Sequence, residues 1–488
     1  MKNVKILLSI IACAGILFVC GCSHEHFYDD WCTSAINCVT DGYMYRTCKL
    51  CGQVEYGDVT VSGGHEFVSW SDDIINEARY GTCSLCGAVE EDGEYSPLPG
   101  FSRFYIYGTP SGTVIPVEAK YVLDDVKHEF FGNISIDGHE SNEYYKKDYD
   151  IITFSDSEFS LPVKTNLHPS IGDVGSYALK SEYYDKSSVR NLVASELWRQ
   201  VVSSRESIDE NIAALPHLGA ESGFPLFFYT NGNFKGIYNL CTPNNEELFS
   251  LTDENNQSLI YSYTDFGTFD FTYGNSDNAV PCTVVWPTDV YRKQISAEKF
   301  CEFMNFIDDS TDKEFKKEIS SYLDVDAAID YLICLYAFGA DSNTVKYCNW
   351  VSFDNKKWIP SMYNLTYTFG LDEKRKALLP QSTVLPYIGS DGKLISGTSV
   401  AFWDKLCASF ADKIALRYGA LRQSVLSYEN IGTVFESYVS MIPQKAYDAE
   451  ITEYPEKADF TAVYSVQDIS QWYSEKCVLL DSVFKTIE

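Results

Sequence analysis

Two short blocks recur in the same order near the N-terminus, and they constrain this chain more than any bulk property does. Cys48-Lys-Leu-Cys51-Gly-Gln-Val-Glu55 returns as Cys83-Ser-Leu-Cys86-Gly-Ala-Val-Glu90. Upstream, His26-Phe-Tyr-Asp-Asp-Trp31 is matched by His65-Glu-Phe-Val-Ser-Trp70. The result is a tandem repeat of just under forty residues, filling 22–95. The first unit also carries Cys38, for which the second has no counterpart. Units this small bury too little apolar surface to hold a fold and need a cross-link or a metal.

Cys-x-x-Cys followed by glycine places two thiolates on one face of a tight turn, as in zinc ribbons. On spacing alone, His26, Cys38, Cys48 and Cys51 complete one closed zinc site, and His65, Cys83 and Cys86 give three ligands for a second. Disulfide pairing, with Cys32 as a further partner, is the alternative. It is available because the chain reads as exported. A basic start at Met1-Lys2-Asn3-Val4-Lys5 precedes an apolar run from Ile6 to Val19 and then Cys20-Gly21-Cys22. That is a signal peptide over 1–21 rather than a membrane span. Val19 to Cys22 resembles a bacterial lipobox, with Cys22 as the lipidated residue. The expected location is extracytoplasmic, with the lipid as the only membrane contact.

Beyond the repeat, Glu90-Glu91-Asp92-Gly93-Glu94 and Pro97-Leu98-Pro99-Gly100 form a polar linker, and a main domain is expected over 96–488. Apolar residues make up 45% and charged residues 22%, a globular balance. The formal charge of −31 repels phosphate backbones, which argues against nucleic acid as a partner. Alternating segments at Phe101–Tyr107, Val114–Tyr121 and Phe130–Ile136 read as strands. Asn231-Gly232 between apolar runs predicts a hairpin, and Asp354-Asn355 predicts another. Helical spacing begins after Asp185, recurs over Val325–Phe338 with Gly339 as its C-cap, and fills Ala401–Phe435 and Val466–Ile487. The fold class is α+β, strand-rich first and helical second. No Gly-x-Ser-x-Gly elbow or Gly-x-x-x-x-Gly-Lys-Ser/Thr loop occurs. The last histidine is His217, so the helical part has no histidine base. Cys241, Cys282, Cys301, Cys334, Cys348, Cys407 and Cys477 lie in apolar surroundings and read as core fillers.

Several blocks in order resemble the spore-coat protein H (CotH) kinase family. They are Ile134-Ser-Ile-Asp-Gly138 through Lys146-Lys147, then Tyr177-Ala-Leu-Lys180 through Asp185 to Arg190-Asn191, and the hairpin Phe224 to Leu240. A stretch from Val325 through Asp341 and Lys346 to Tyr363-Asn364-Leu365-Thr366-Tyr367-Thr368-Phe369-Gly370 follows, and then Ile469-Ser-Gln-Trp472. The resemblance implies an atypical two-lobed protein-kinase-like fold that transfers phosphate from ATP, with magnesium or manganese, to serines of secreted, surface or spore-coat proteins. It makes Lys180 the phosphate contact, places Asp185, Arg190 and Asn191 beside it, and makes Asp341 the carboxylate near the acceptor hydroxyl. The alternative for Asp185 and Arg190 is a helix cap and its ion-pair partner. Active relatives usually carry Tyr-Asp-x-Asp where this chain has Asn364 and Thr366. Neither replacement brings the charge that a hard cation needs. Tyr347 also stands where relatives have an asparagine, with Asn349 as its nearest substitute. A pseudokinase is therefore expected, with an active kinase as the alternative.

Overall fold

The computed structural model describes residues 25–34, 38, 42–60, 63–92, 100–108, 114–124, 126–137, 145–253, 256–262, 282–372, 378–398, 400–459 and 466–487. Cys22 and the expected signal peptide lie outside them, as do Gly138 and most of the linker. The chain forms two compact units, Met1–Asp73 with Glu77–Ser96, and Ile74–Asn76 with Pro97–Glu488.

In the first unit each repeat is a three-stranded antiparallel sheet. The strands are β1 (Cys32–Thr33), β2 (Gly42–Thr47) and β3 (Val54–Thr60), then β4 (Phe67–Asp73), β5 (Ala78–Cys83) and β6 (Val89–Asp92). The sequence repeat is also a repeat of hydrogen bonds. Gly52 N–H donates to Cys48 O and Gly87 N–H to Cys83 O, at 2.8 and 3.0 Å. Both glycines have φ near +70°, 74° and 72°, the conformation that makes glycine the residue of choice after each Cys-x-x-Cys. An arginine covers each repeat's tryptophan, Arg46 over Trp31 and Arg79 over Trp70.

The second unit is α+β. Its first part is a closed seven-stranded barrel of β7 (Ser102–Tyr107), β8 (Ile115–Leu123), β9 (Val126–Ile136), β10 (Tyr149–Phe154), β11 (Ser176–Lys180), β12 (Gly223–Thr230) and β13 (Asn233–Cys241). The order round the barrel is β10-β11-β13-β12-β7-β8-β9. All pairings are antiparallel except β12 with β7, which sets Leu226 against Ser102. Period-two alternation fills the interior. On β8, Val117, Ala119 and Tyr121 point inward while Glu118 and Lys120 do not. Strand β12 is buried along its whole length, Phe224, Leu226 and Phe228 facing the barrel core and Phe227 and Tyr229 the helical one. Two-sided burial explains its unbroken apolar run. The turn Asn231-Gly232 has φ +51° and +77°, as a two-residue hairpin of this type requires.

The helices are α1 (Arg190–Ser203), α2 (Glu210–Ala213), α3 (Val290–Asp309), α4 (Asp312–Glu318), α5 (Val325–Phe338), α6 (Ala401–Arg422), α7 (Tyr428–Val439), α8 (Gln444–Glu453) and α9 (Val466–Phe484). The single helical stretch expected over 401–435 is thus two helices, separated at the Ser427 N-cap of α7. Helix α5 runs through the core, buried from Ala327 to Phe338. Asp324 caps its first turn through Ala327 N–H, and Gly339 ends it at φ +62°. A four-stranded sheet accompanies the helices, in the order β15 (Cys282–Trp286), β14 (Ser258–Ser262), β16 (Cys348–Ser352), β17 (Ile359–Met362). Asp354-Asn355 lies in the connection between β16 and β17, where Asp354 accepts N–H from Lys356 and Lys357. Cys241, Cys334, Cys348, Cys407 and Cys477 are buried, as core fillers should be.

Candidate functional site

Strand β11 ends at Lys180, and this buried lysine is the centre of the site. Its Nζ lies 2.7 Å from Glu221 Oε1 and 4.4 Å above the ring of Tyr363. Glu221 stands just before β12 and is 3% exposed. Burial opposes the Lys180 ammonium most strongly, but the neighbouring groups, Glu221 first among them, together raise the lysine's pKa. Glu221 also accepts from Asn191 Nδ2 at 3.0 Å and from Asn364 N–H at 3.2 Å. One carboxylate therefore joins the end of β11, the first turn of α1 and the loop after β17.

Four of the expected site residues, Lys180, Asn191, Asn364 and Thr366, meet here. Asn191 Oδ1 accepts Leu365 N–H at 2.6 Å. Asn364 Oδ1 accepts the Thr366 hydroxyl at 3.2 Å, so the two residues standing for a metal-binding pair are bonded to each other. A neutral amide and a hydroxyl so arranged do not fit a magnesium site, which needs carboxylate charge.

Asp185 and Arg190 are placed differently from the expectation that they contact a cofactor. Both are fully buried and paired, Arg190 Nε to Asp185 Oδ1 at 3.1 Å. The Asp185 carboxylate also receives Ser187 N–H and hydroxyl, Val189 N–H and Arg190 N–H. It caps α1 from five residues upstream, a job usually done by the adjacent residue, here Val189, whose side chain offers no oxygen. Arg190 Nη1 donates to the carbonyls of Thr368 and Phe369 at 3.0 and 2.9 Å. The pair is structural, and its lone pairs and N–H groups are spent on protein.

Asp341 sits exposed in the turn after α5, where its carbonyl accepts the Thr344 hydroxyl; burial pushes Lys476 of α9 down to about 7, and Cys477 and then Asp341 only partly offset it. Tyr347 holds φ +56° and donates its N–H to Ser262 O at 2.7 Å. Asn349 is fixed in β16 with its amide on Asn244 Oδ1 at 2.9 Å. Lys146, from the first resembling block, is buried and bonded to Glu450 of α8 at 2.7 Å, which ties that helix to the barrel.

Residue reasoning missed Glu221 and three further carboxylates near Lys180. Asp148 Oδ1 accepts Ser181 N–H at 2.6 Å. Asp150 pairs with Ala178 across β10 and β11. Desolvation, and then the charge of Asp137, pushes Asp150 up to about 8, against the pull of Lys180. Glu182, 4% exposed and at φ +44°, is pushed up to about 8 by burial and then by Asp185. Neither of its oxygens has a hydrogen-bond partner among the described residues. The one available signal was Asp148-Tyr-Asp150, whose spacing puts both acids on one face of a strand.

Residues 130–479 match the family model described as CotH kinase protein, well over half of the chain. The chain belongs to the CotH kinase family. A search of curated proteins finds no match. The matched region begins in β9 and ends in α9, so it contains most of the barrel, the Lys180 site and the helical core. Membership in this family points to nucleotide and metal use. The Cys and His residues of the tandem repeat lie outside the match. There, Cys38, His65, Cys83 and Cys86 converge, with ligand atoms within 4.8 Å of one another, and so do His26, Cys48 and Cys51. Cys38 thus leaves the group that its position in the sequence assigned it to and joins the second.

Proposed function

We propose that this CotH-family chain is a pseudokinase, exported and tethered through a lipid on Cys22, that binds a secreted, surface or spore-coat protein without transferring phosphate. In this reading the barrel is the first lobe of a kinase-like fold and the helical core the second. The tandem repeat is a zinc-ribbon-like module. No described helix is long and apolar enough to cross a membrane. An unmodified Cys22 in the mass spectrum of the membrane fraction would remove the tether.

The observation that carries the reading is the loop Tyr363–Gly370. It approaches Lys180 as a phosphate-handling loop would, yet it presents Asn364 and Thr366 bonded to each other where charge is needed. Lys180, held by Glu221, fits a nucleotide phosphate. With no carboxylate on the loop, it has no partner there to hold the metal that accompanies that phosphate.

One observation favours an active kinase as the second reading. Glu182 is buried with both oxygens unpartnered, beside Asp148 and Lys180. Its two oxygens are acceptors that a cation or a substrate hydroxyl can use, although Asp148, Asp150 and Glu182 do not gather as one set of metal ligands. Phosphate transfer from labelled ATP, with magnesium and separately with manganese, decides between them. The unaltered protein should be silent and Asn364→Asp/Thr366→Asp should gain transfer. Transfer by the unaltered protein that is lost in Lys180→Ala would establish the kinase instead.

A further inference from the structure

We propose that Cys38, His65, Cys83 and Cys86 hold one tetrahedral zinc ion, so that the first repeat supplies a ligand to the second and the pair folds as one metal-dependent unit. The proposal rests on the zinc reading of the module and adds to it which residues share an ion.

The distances carry it. Zinc bound at its usual lengths to sulfur and imidazole nitrogen sets tetrahedral edges of about 3.8 Å between sulfurs and about 3.6 Å between sulfur and nitrogen. Cys38 Sγ lies 3.6 Å from Cys83 Sγ, and Cys86 Sγ lies 3.3 Å from His65 Nδ1. Three sulfurs and an imidazole around one point are a complete S3N set. A disulfide would account for two of those sulfurs and leave the third and the imidazole gathered for no purpose. The backbone supports the same centre, because the amides of Leu85 and Cys86 point at the Cys83 sulfur. Cys38 and Cys83 are buried while Cys86 and His65 are exposed, so the ion sits at the edge of the module with its anionic ligands partly shielded.

His26, Cys48 and Cys51 form the matching centre of the first repeat, with Cys51 Sγ 3.5 Å from His26 Nδ1. Its Cys-x-x-Cys turn has the same hydrogen bonds as the second. The sequence order would give Cys38 to this centre. The fold gives it to the other, because Cys38 Sγ lies beside Cys83 Sγ. The second repeat then depends on the first for its fourth ligand, and alone it lacks a complete ligand set.

The test uses the full chain, purified under reducing conditions, and zinc itself. Chelator competition is compared in two backgrounds. Cys38→Ser should weaken the zinc that remains in Cys48→Ser/Cys51→Ser more than ~tenfold, and should change little in Cys83→Ser/Cys86→Ser. The reverse pattern would overturn the crossing ligand while leaving zinc in place. Less than half an equivalent of zinc in the unaltered chain would overturn the zinc reading itself. A second measurement needs no variant. After chelation of the unaltered chain, diamide should trap Cys38 with Cys83 or Cys86, and trapping it with Cys48 or Cys51 would overturn the proposal.

Discussion

A double-mutant cycle on Lys180 and Glu221 tests whether charge pairing, rather than shape, organises the candidate site. Glu221→Gln removes the charge 2.7 Å from the Lys180 ammonium and keeps an oxygen for only one of two donors, since Asn191 Nδ2 bonds Oε1 and Asn364 N–H bonds Oε2. That ammonium is 7% exposed, and the Tyr363 ring beneath it is a far weaker counter-charge. Breaking a buried ion pair from one side costs about 3–5 kcal/mol. Lys180→Met should cost less, about 2–3 kcal/mol, because Glu221 keeps two N–H donors and hydrogen bonds to charged groups are each worth about 1.5–3 kcal/mol. In Lys180→Met/Glu221→Gln no charge is left buried, so the double variant should be no less stable than Glu221→Gln. The expected coupling is then about 2–3 kcal/mol. Urea denaturation followed by tryptophan fluorescence reads it as midpoint shifts at unchanged slope. A Glu221→Gln cost below about 1 kcal/mol, or additivity of the two changes within about 0.5 kcal/mol, would refute the argument.

Two further outcomes follow from the same neighbourhood. Arg190→Lys keeps the charge but loses the planar fork that holds the Thr368 and Phe369 carbonyls, so it should destabilise by about 2–4 kcal/mol, nearly as much as Arg190→Ala; a melting temperature within two degrees or so of the unaltered protein would count against the structural role. Glu182 and Asp150 are both raised to about 8, so the folded state holds their protons longer than the unfolded chain does. Their contribution is fully present below the unfolded value near 4.5 and is lost as pH rises towards 8. Glu182→Gln should therefore flatten the decline in stability across that window, and an unchanged pH profile would show that the carboxylate is not protonated in the fold.

The parts legible in the sequence are those whose physics is local. Asn231-Gly232 declares a hairpin because both positions need positive φ, and Gly339 declares the end of α5 for the same reason. The Cys-x-x-Cys turns repeat because the chemistry of each lies within five residues. What could not be read depends on pairing across distance. Barrel closure needs β7 and β12 to pair in parallel, and nothing in either strand specifies the other. Glu221 lies about forty residues after the lysine it holds, between Ala220 and Ser222, with no pattern to mark it. Proximity in the chain assigns Cys38 to the first centre, whereas its sulfur lies beside Cys83 of the other repeat. Asp185 illustrates a different limit, since an acid ahead of a helix reads the same whether it caps that helix or binds a ligand, and only its five protein donors decide.

In the pseudokinase reading proposed above, the contacts around the loop after β17 explain how the family's scaffold is kept without carboxylates at 364 and 366. The loop after β17 is positioned through its backbone. Glu221 takes the N–H of Asn364, Asn191 takes the N–H of Leu365, Arg190 holds the carbonyls of Thr368 and Phe369, and Phe338 O accepts the N–H of Phe369 at 2.6 Å. None of these bonds uses the side chain at 364 or 366. A change between aspartate and asparagine or threonine at those positions leaves every anchor in place, so on that reading its cost falls on metal binding and not on folding. The same independence is why Asn364→Asp/Thr366→Asp is a fair test of the site: the loop that would receive the two carboxylates is already held where they would act.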